Sequence, residues 1–266
     1  MTKRFNFKDL FIYDMANNHQ GDFEHALNII NQFGSVSREK NAKVALKFQF
    51  RQLDTFIHPD FKGRDDIKFI KRFNSTRMEM KQFDELTKSV KENGMLTMCT
   101  PFDEESVDVI CEMDIDIIKV ASCSAADLPL LKKVANARKP VVVSTGGLRQ
   151  EQIDWLVSFF EAEQVDFAVM HCTAIYPTPD NKLNLNYIQS LKSRYPDVPI
   201  GYSTHENQDN FNAIMMATAF GATLFERHVG LKTDKYELND YSSVPEQVAS
   251  WLDAYQHALE MAGPKQ

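Results

Sequence analysis

Much that would narrow the function of a chain is missing from this one. Its four cysteines, Cys99, Cys111, Cys123 and Cys172, contain no CxxC pair, so neither a thiol redox motif nor a zinc ribbon is written in it. The opening MTKRFNFKDL is too polar for a secretory leader, and the expectation is reduced cysteines in a cytoplasmic protein. No apolar run approaches the ~20 residues of a membrane span. Positive charge is not in excess either. At a formal net charge of −7, no broad contact with nucleic acid or an anionic membrane is expected. A small anionic substrate stays compatible with that sign, because local lysines can oppose it. Low-complexity tracts and Gly/Ser linkers are absent as well, so one domain over residues 1–266 is expected.

What is there is a rhythm. Short apolar or β-branched runs recur: FIYDMAN (11–17), VALKFQF (44–50), MLTMCTPF (95–102), DIIKVAS (116–122), PVVVSTG (140–146), FAVMHCT (167–173), PIGYSTH (199–205) and TLFERHV (223–229). Amphipathic stretches such as MKQFDELTKSVKENG, LPLLKKVANA and QEQIDWLVSFFEA separate them, and PEQVASWLDAYQHALEMAG follows the last. Strand then helix, repeated, predicts a parallel sheet with helical crossovers. Eight such units in 266 residues predict a single-domain α/β protein, a (β/α)8 TIM barrel. An open doubly wound sheet ranks lower, because no run is followed by GxGxxG.

Barrel active sites lie at the C-terminal ends of strands. The polar residues expected there are Asp14, Asn17, Asn18 and His19, then Lys47 and Gln49, then Thr100 and Asp103. Lys119 and Ser122, Ser144 and Thr145, and His171, Thr173 and Tyr176 follow. Ser203 with His205 and Glu226 with His228 complete the ring.

Two lysines inside apolar strands, Lys47 and Lys119, are anomalous, because a buried ammonium without a partner is costly. One such lysine is explained by snorkelling. Two at one barrel mouth call for an anion between them, with Thr100, Ser122, Ser144 and Ser203 as further donors. The STGG turn (144–147) is a weaker candidate for amides at a helix start. His205 and His228 end consecutive strands, and with Asp14 and Glu226 nearby they suit a divalent transition metal with open positions. His25, His58 and His257 are expected on the surface. DEESVD (103–108) reads as a capped helix start. KFIKRFNSTRMEMK (68–81) reads as a basic solvated surface or a lid.

Taken in order, "ANNHQGD" (16–22), "LKFQ" (46–49), "TPFDEESVD" (100–108), "IKVASCSAADLPLL" (118–131), "STGG" (144–147), "HCTAIYPTP" (171–179), "GYSTHE" (201–206) and "ERHVG" (226–230) make the chain resemble the sialic acid synthases. These N-acetylneuraminate synthase barrels condense phosphoenolpyruvate with an N-acylated aminohexose. The resemblance implies that Lys47, Thr100, Lys119, Ser122, Ser144 and Ser203 hold phosphoenolpyruvate. It implies a metal on His205 and His228, manganese foremost with magnesium or cobalt as alternatives, and a catalytic set of Asp14, Lys119, His205 and His228. It also implies a homodimer.

Departures from the family pattern cluster on the acceptor side. The glutamate of the usual "AEIG" is Asp14, "ASGE" is "ASCS" with Ser124, and Ala174 precedes "IYP". The "PGPDH" segment is "ELNDYS", which keeps Asp240. Gln49, Tyr176 and Asp240 are left to contact an aldose acceptor. Family members continue into an antifreeze-like domain, and the expectation here is a barrel without it. Altered acceptor residues leave a second expectation open: a non-catalytic or acceptor-altered barrel acting as a binding or regulatory subunit. A metal-dependent sugar isomerase would want a ring richer in carboxylates.

Overall fold

A computed structural model describes residues 4–263. Its strands are β1 (Leu10–Asp14), β2 (Lys43–Phe50), β3 (Leu96–Pro101), β4 (Ile117–Val120), β5 (Val141–Ser144), β6 (Phe167–Cys172), β7 (Ile200–Ser203) and β8 (Leu224–Val229). Each pairs in parallel with the next, and β8 closes on β1 with Asp14 opposite His228. A two-residue β9 (Ser242–Ser243) extends the sheet beside the end of β8. Helix α1 (Phe23–Glu39) follows β1, and α2 (Leu53–Phe56), α3 (Lys68–Ser75) and α4 (Met80–Glu92) follow β2. Then come α5 (Glu104–Glu112), α6 (Leu128–Asn136), α7 (Gln150–Ala162), α8 (Asn186–Arg194), α9 (Asn212–Ala219) and α10 (Pro245–Ala262). This is the expected (β/α)8 barrel, and each strand-like run of the sequence lies on an observed strand.

Pleating sends alternate side chains to opposite faces, and the two faces make two separate cores. Outward residues such as Phe11, Tyr13, Leu46, Phe48, Ile118 and Val143 pack against the helices. Inward residues Leu10, Ile12, Ala45, Met98, Ile117, Val142, Ala168, Met170 and Leu224 form their own cluster with Phe7. The Phe5 and Phe7 rings, 4.8 Å apart, precede β1 and plug the lower end of the barrel. Carried upward, the same inward alternation reaches Asp14, Lys47, Thr100, Lys119, Ser144, Cys172, Ser203, Glu226 and His228. The interior therefore turns from apolar to polar along each strand.

The helices return to the sheet by one recurring device. Residues just past their C-termini adopt left-handed backbone: Asn41 (φ 47°), Asp114 (48°), Arg138 (55°) and Gln164 (56°). Such a residue ends the helix and turns the chain back sharply. Asp103 caps α5 by accepting from Ser106 N–H at 2.8 Å, so the capped helix start read from DEESVD is present. The basic stretch 68–81 is a partly packed helix and turn. Ile70 and Met78 are buried, whereas Phe69 is exposed.

Candidate active site

The polar layer is held together by carboxylates contributed from neighbouring strands. Lys47 Nζ lies 2.9 Å from Asp14 Oδ2 and 2.5 Å from Glu226 Oε1. Lys119 Nζ lies 2.7 Å from Glu226 Oε2, which also accepts from the Ser203 hydroxyl at 2.8 Å. All five side chains are buried. Glu226 bridges both ammonium groups and so supplies one carboxylate between the lysines, and its charge also acts on His205 and His228, near which the sequence predicts it.

Burial alone would neutralise these groups. For Glu226 burial pushes the pKa up, but Lys119 and Lys47 outweigh it and hold the carboxyl well below its usual range. Burial pulls Lys47 down, yet Asp14 and Glu226 together hold it above an ordinary lysine. For Lys119, burial outweighs the opposing Glu226 carboxylate, the neighbouring Lys47 adds to the lowering, and the pKa ends below the usual value.

Each ammonium has three donors. Lys47 is ion-paired with two carboxylates, and Lys119 donates one hydrogen bond to Glu226, so both ammonium groups keep donors to spare. The Thr100 and Ser144 hydroxyls are buried and unpartnered, although polar groups in interiors are normally satisfied. Ser122 Oγ accepts from Gly146 N–H at 2.8 Å, leaving its own proton to donate. That bond also occupies an amide of the STGG turn. Helix α7 starts only at Gln150, so the expected helix-start amides are not there.

The two imidazoles face one another beside this layer, ring centres 5.5 Å apart. His205 Nδ1 donates to Thr173 O at 3.0 Å, which leaves Nε2 with its lone pair. Burial, then the neighbouring His228, lowers the His205 pKa to about 3. Burial lowers that of His228 too, against Asp14 with Oδ2 3.5 Å away. Two neutral imidazoles, one of them oriented by a backbone carbonyl, are the donors a divalent metal takes. Among the described residues no three His, Cys, Asp or Glu groups gather as a metal cage. The pair thus fits a metal held from one side, with its other positions open.

The sequence-predicted acceptor residues divide. Tyr176, before a cis peptide to Pro177, lays its ring 4.2 Å from that of His205. Gln49 points inward from β2 and accepts from Arg51 Nη2 at 2.9 Å. Asp240 is exposed, and its backbone carbonyl accepts from Gln208 N–H. Its neighbour Tyr241 reaches the ring instead, 5.3 Å from His228 and 5.4 Å from Tyr176.

Other residues placed at the mouth by sequence turn away. His171 faces outward and bonds Leu183 O at 2.8 Å. Asn18 ties β8 to β9 through Val229 O and Ser242 Oγ. Thr145 bonds Met170 O, and Thr173 bonds Lys182 O. His25, expected on the surface, is buried against Tyr236, whereas His58 and His257 are exposed. Cys172 also faces the site, although the sequence did not place it at the mouth. Its Sγ lies 3.7 Å from His205 Nδ1, and burial pushes its thiol up. Alternation along β6 would have placed it inward.

A buried lysine–carboxylate–hydroxyl layer flanked by two histidines lies at the C-terminal mouth, where the active sites of (β/α)8 barrel enzymes sit. The chain belongs to the NeuB family, whose model matches residues 36–265. It is 29% identical to the N,N'-diacetyllegionaminic acid synthase of Campylobacter jejuni, over 84% of this chain and 68% of that one. It is 27% identical to human N-acetylneuraminate-9-phosphate synthase, over 90% and 67% respectively. A crystal structure of a Chromobacterium violaceum protein, described as spore coat polysaccharide biosynthesis protein E, superposes with a TM-score of 0.95 at 50% identity, covering 97% of this chain and 77% of that one. The chain spans 60% of an uncharacterised Methanocaldococcus jannaschii relative and about two thirds of the two synthases. Among the described residues no helix is long and apolar enough to cross a membrane.

Proposed function

We propose that the barrel condenses phosphoenolpyruvate with an aldose, an N-acylated aminohexose or a close relative, to give a nonulosonate or related 3-deoxy-2-keto acid and phosphate. What carries the reading is the unspent hydrogen-bonding capacity at the mouth. Lys47 and Lys119 retain free N–H donors, and the buried Thr100 and Ser144 hydroxyls have no partner. A phosphorylated carboxylic acid satisfies all of these at once, as charge-assisted bonds in a dry site. Ser122 and Ser203 extend the same wall.

In the proposed reaction C3 of phosphoenolpyruvate attacks the aldehyde carbon, and the aldehyde oxygen takes up a proton to become a hydroxyl. Water adds at C2, and the C2–O bond breaks to release phosphate and leave the ketone. Lys47 and Lys119 offset the charge of the phosphate and carboxylate throughout. A divalent ion on His205 and His228, manganese foremost, would supply Lewis-acid polarisation of the aldehyde oxygen. Asp14 orients Lys47 and faces His228. Gln49, Tyr176 and Tyr241 rim the space left for the sugar. Assembly as a homodimer in the cytoplasm belongs to the same reading and is checked by sedimentation and cell fractionation.

The test is phosphate release from phosphoenolpyruvate, manganese and a panel of aldoses. Release should need both organic substrates, stop with a chelator, and stop in His205→Ala or His228→Ala. Full activity in those variants removes the metal assignment. Tight phosphoenolpyruvate and metal binding without turnover on any aldose points to the binding-subunit alternative.

A further inference from the structure

A cavity of about 290 Å³ adjoins the mouth between the β1 and β2 loops and α3–α4, lined among others by Asn17, His19, Gln49, Arg51, Arg77 and Glu79. Its charged groups are accounted for with one exception. Arg77 is paired outside with Asp54 at 2.9 Å. Glu79 is exposed to solvent, and its backbone N–H donates to Gln82 Oε1 at 3.0 Å at the start of α4. His19 is buried and kept neutral, and its Nδ1 accepts from Gly21 N–H.

Arg51 is the exception. Its guanidinium is wedged between Phe102 and Phe73, 3.8 Å and 4.5 Å from the ring centres. Nη2 bonds Gln49 Oε1 at 2.9 Å, while Nε is buried with no partner. Among the described residues Arg51 makes no salt bridge; the nearby Asp103 carboxylate accepts from Gln52 N–H and Ser106 N–H. Two aromatic faces fix the plane of the fork, and of its donors Nε is left without an acceptor. A half-buried guanidinium in that state is costly unless an anion completes it.

We infer that Arg51 is a specificity-determining residue that receives an anionic group, a phosphate or carboxylate, carried by the acceptor sugar away from its aldehyde. This rests on the synthase reading above and refines it. The aldehyde end lies by Gln49, Tyr176 and the histidines, and the charged tail enters the Arg51 cavity. A planar fork held edge-on matches the two oxygens of either anion, whereas a lysine would not.

The experiment compares three ligands: an N-acetylated aminohexose, its terminal phosphate ester, and the sugar oxidised at that terminus to a carboxylate. Calorimetric titration into wild type, Arg51→Met and Arg51→Lys, with and without saturating phosphoenolpyruvate, reads the affinity ratio of each anionic ligand to the neutral one. Wild type should favour at least one anionic form by about 10- to 100-fold. The preferred form tells phosphate from carboxylate. Arg51→Met should abolish the ratio, and Arg51→Lys should keep part of it. Thermal melting confirms that the variants are folded. Equal affinity for all three ligands in wild type, or an undiminished ratio in Arg51→Met, overturns the inference. Absence of turnover with every sugar would sink the synthase reading alone, because the ratio is a binding measurement.

Discussion

Replacing Glu226 by glutamine tests the polar layer most directly. The substitution keeps the volume and removes the charge that serves two buried ammonium groups at 2.5 Å and 2.7 Å. Lys47 keeps Asp14 at 2.9 Å, whereas Lys119 is left with no carboxylate. Removing one partner of a buried pair costs about 3–5 kcal/mol, because the remaining charge is neither solvated nor paired. In a chain of this size that lowers Tm by about 6–20 °C. The pH dependence gives the assay its edge. Burial already holds Lys119 below an ordinary lysine, and Glu226 is what opposes it. Without Glu226 the folded-state pKa falls further, so the unfolded chain binds more protons than the folded one and stability rises with pH. The deficit of Glu226→Gln against wild type, measured by urea unfolding, should therefore be largest near pH 7 and shrink toward pH 9–10. A loss under ~1 kcal/mol at pH 7, or a deficit that stays constant over that range, would refute the bridging role.

Thr100→Val removes a buried hydroxyl that has no partner, so stability should stay within about 0.5 kcal/mol of wild type while affinity for phosphoenolpyruvate falls about 10-fold, read by calorimetry. Unfolding comparable to a core mutant would show that the hydroxyl is bonded. Gly201→Ala places a Cβ 2.7 Å from the Leu224 backbone oxygen inside the barrel; denaturant melts should show a loss of about 1–3 kcal/mol. Phe7→Ala opens the plug under the inner core and should cost about 3–5 kcal/mol, with phosphoenolpyruvate affinity preserved at the opposite end of the barrel. A large fall in that affinity would mean that the two ends are coupled.

Local pattern carried the sequence reading as far as the barrel. Strand length, β-branched runs and the helix period are properties of neighbouring residues, so eight strand–helix units could be counted and closed. The two anomalous lysines were visible for the same reason: an ammonium inside VALKFQF or DIIKVAS breaks the local apolar rule. Helix capping at Asp103 was equally local. Who meets whom across the barrel was not. Glu226 reaches both lysines because strand register places β8 beside β1, and Lys119 crosses the interior from β4. Tyr241 replaces Asp240 at the ring because β9 pairs with the end of β8, a two-residue contact with no periodic signal. His25 is buried by Tyr236, which lies far along the chain in the β8–β9 connection. Arg51 gains its meaning from Phe73 and Phe102, on α3 and after β3. Periodicity fixes which face a side chain takes, while closure of the sheet and packing of the loops choose its partners.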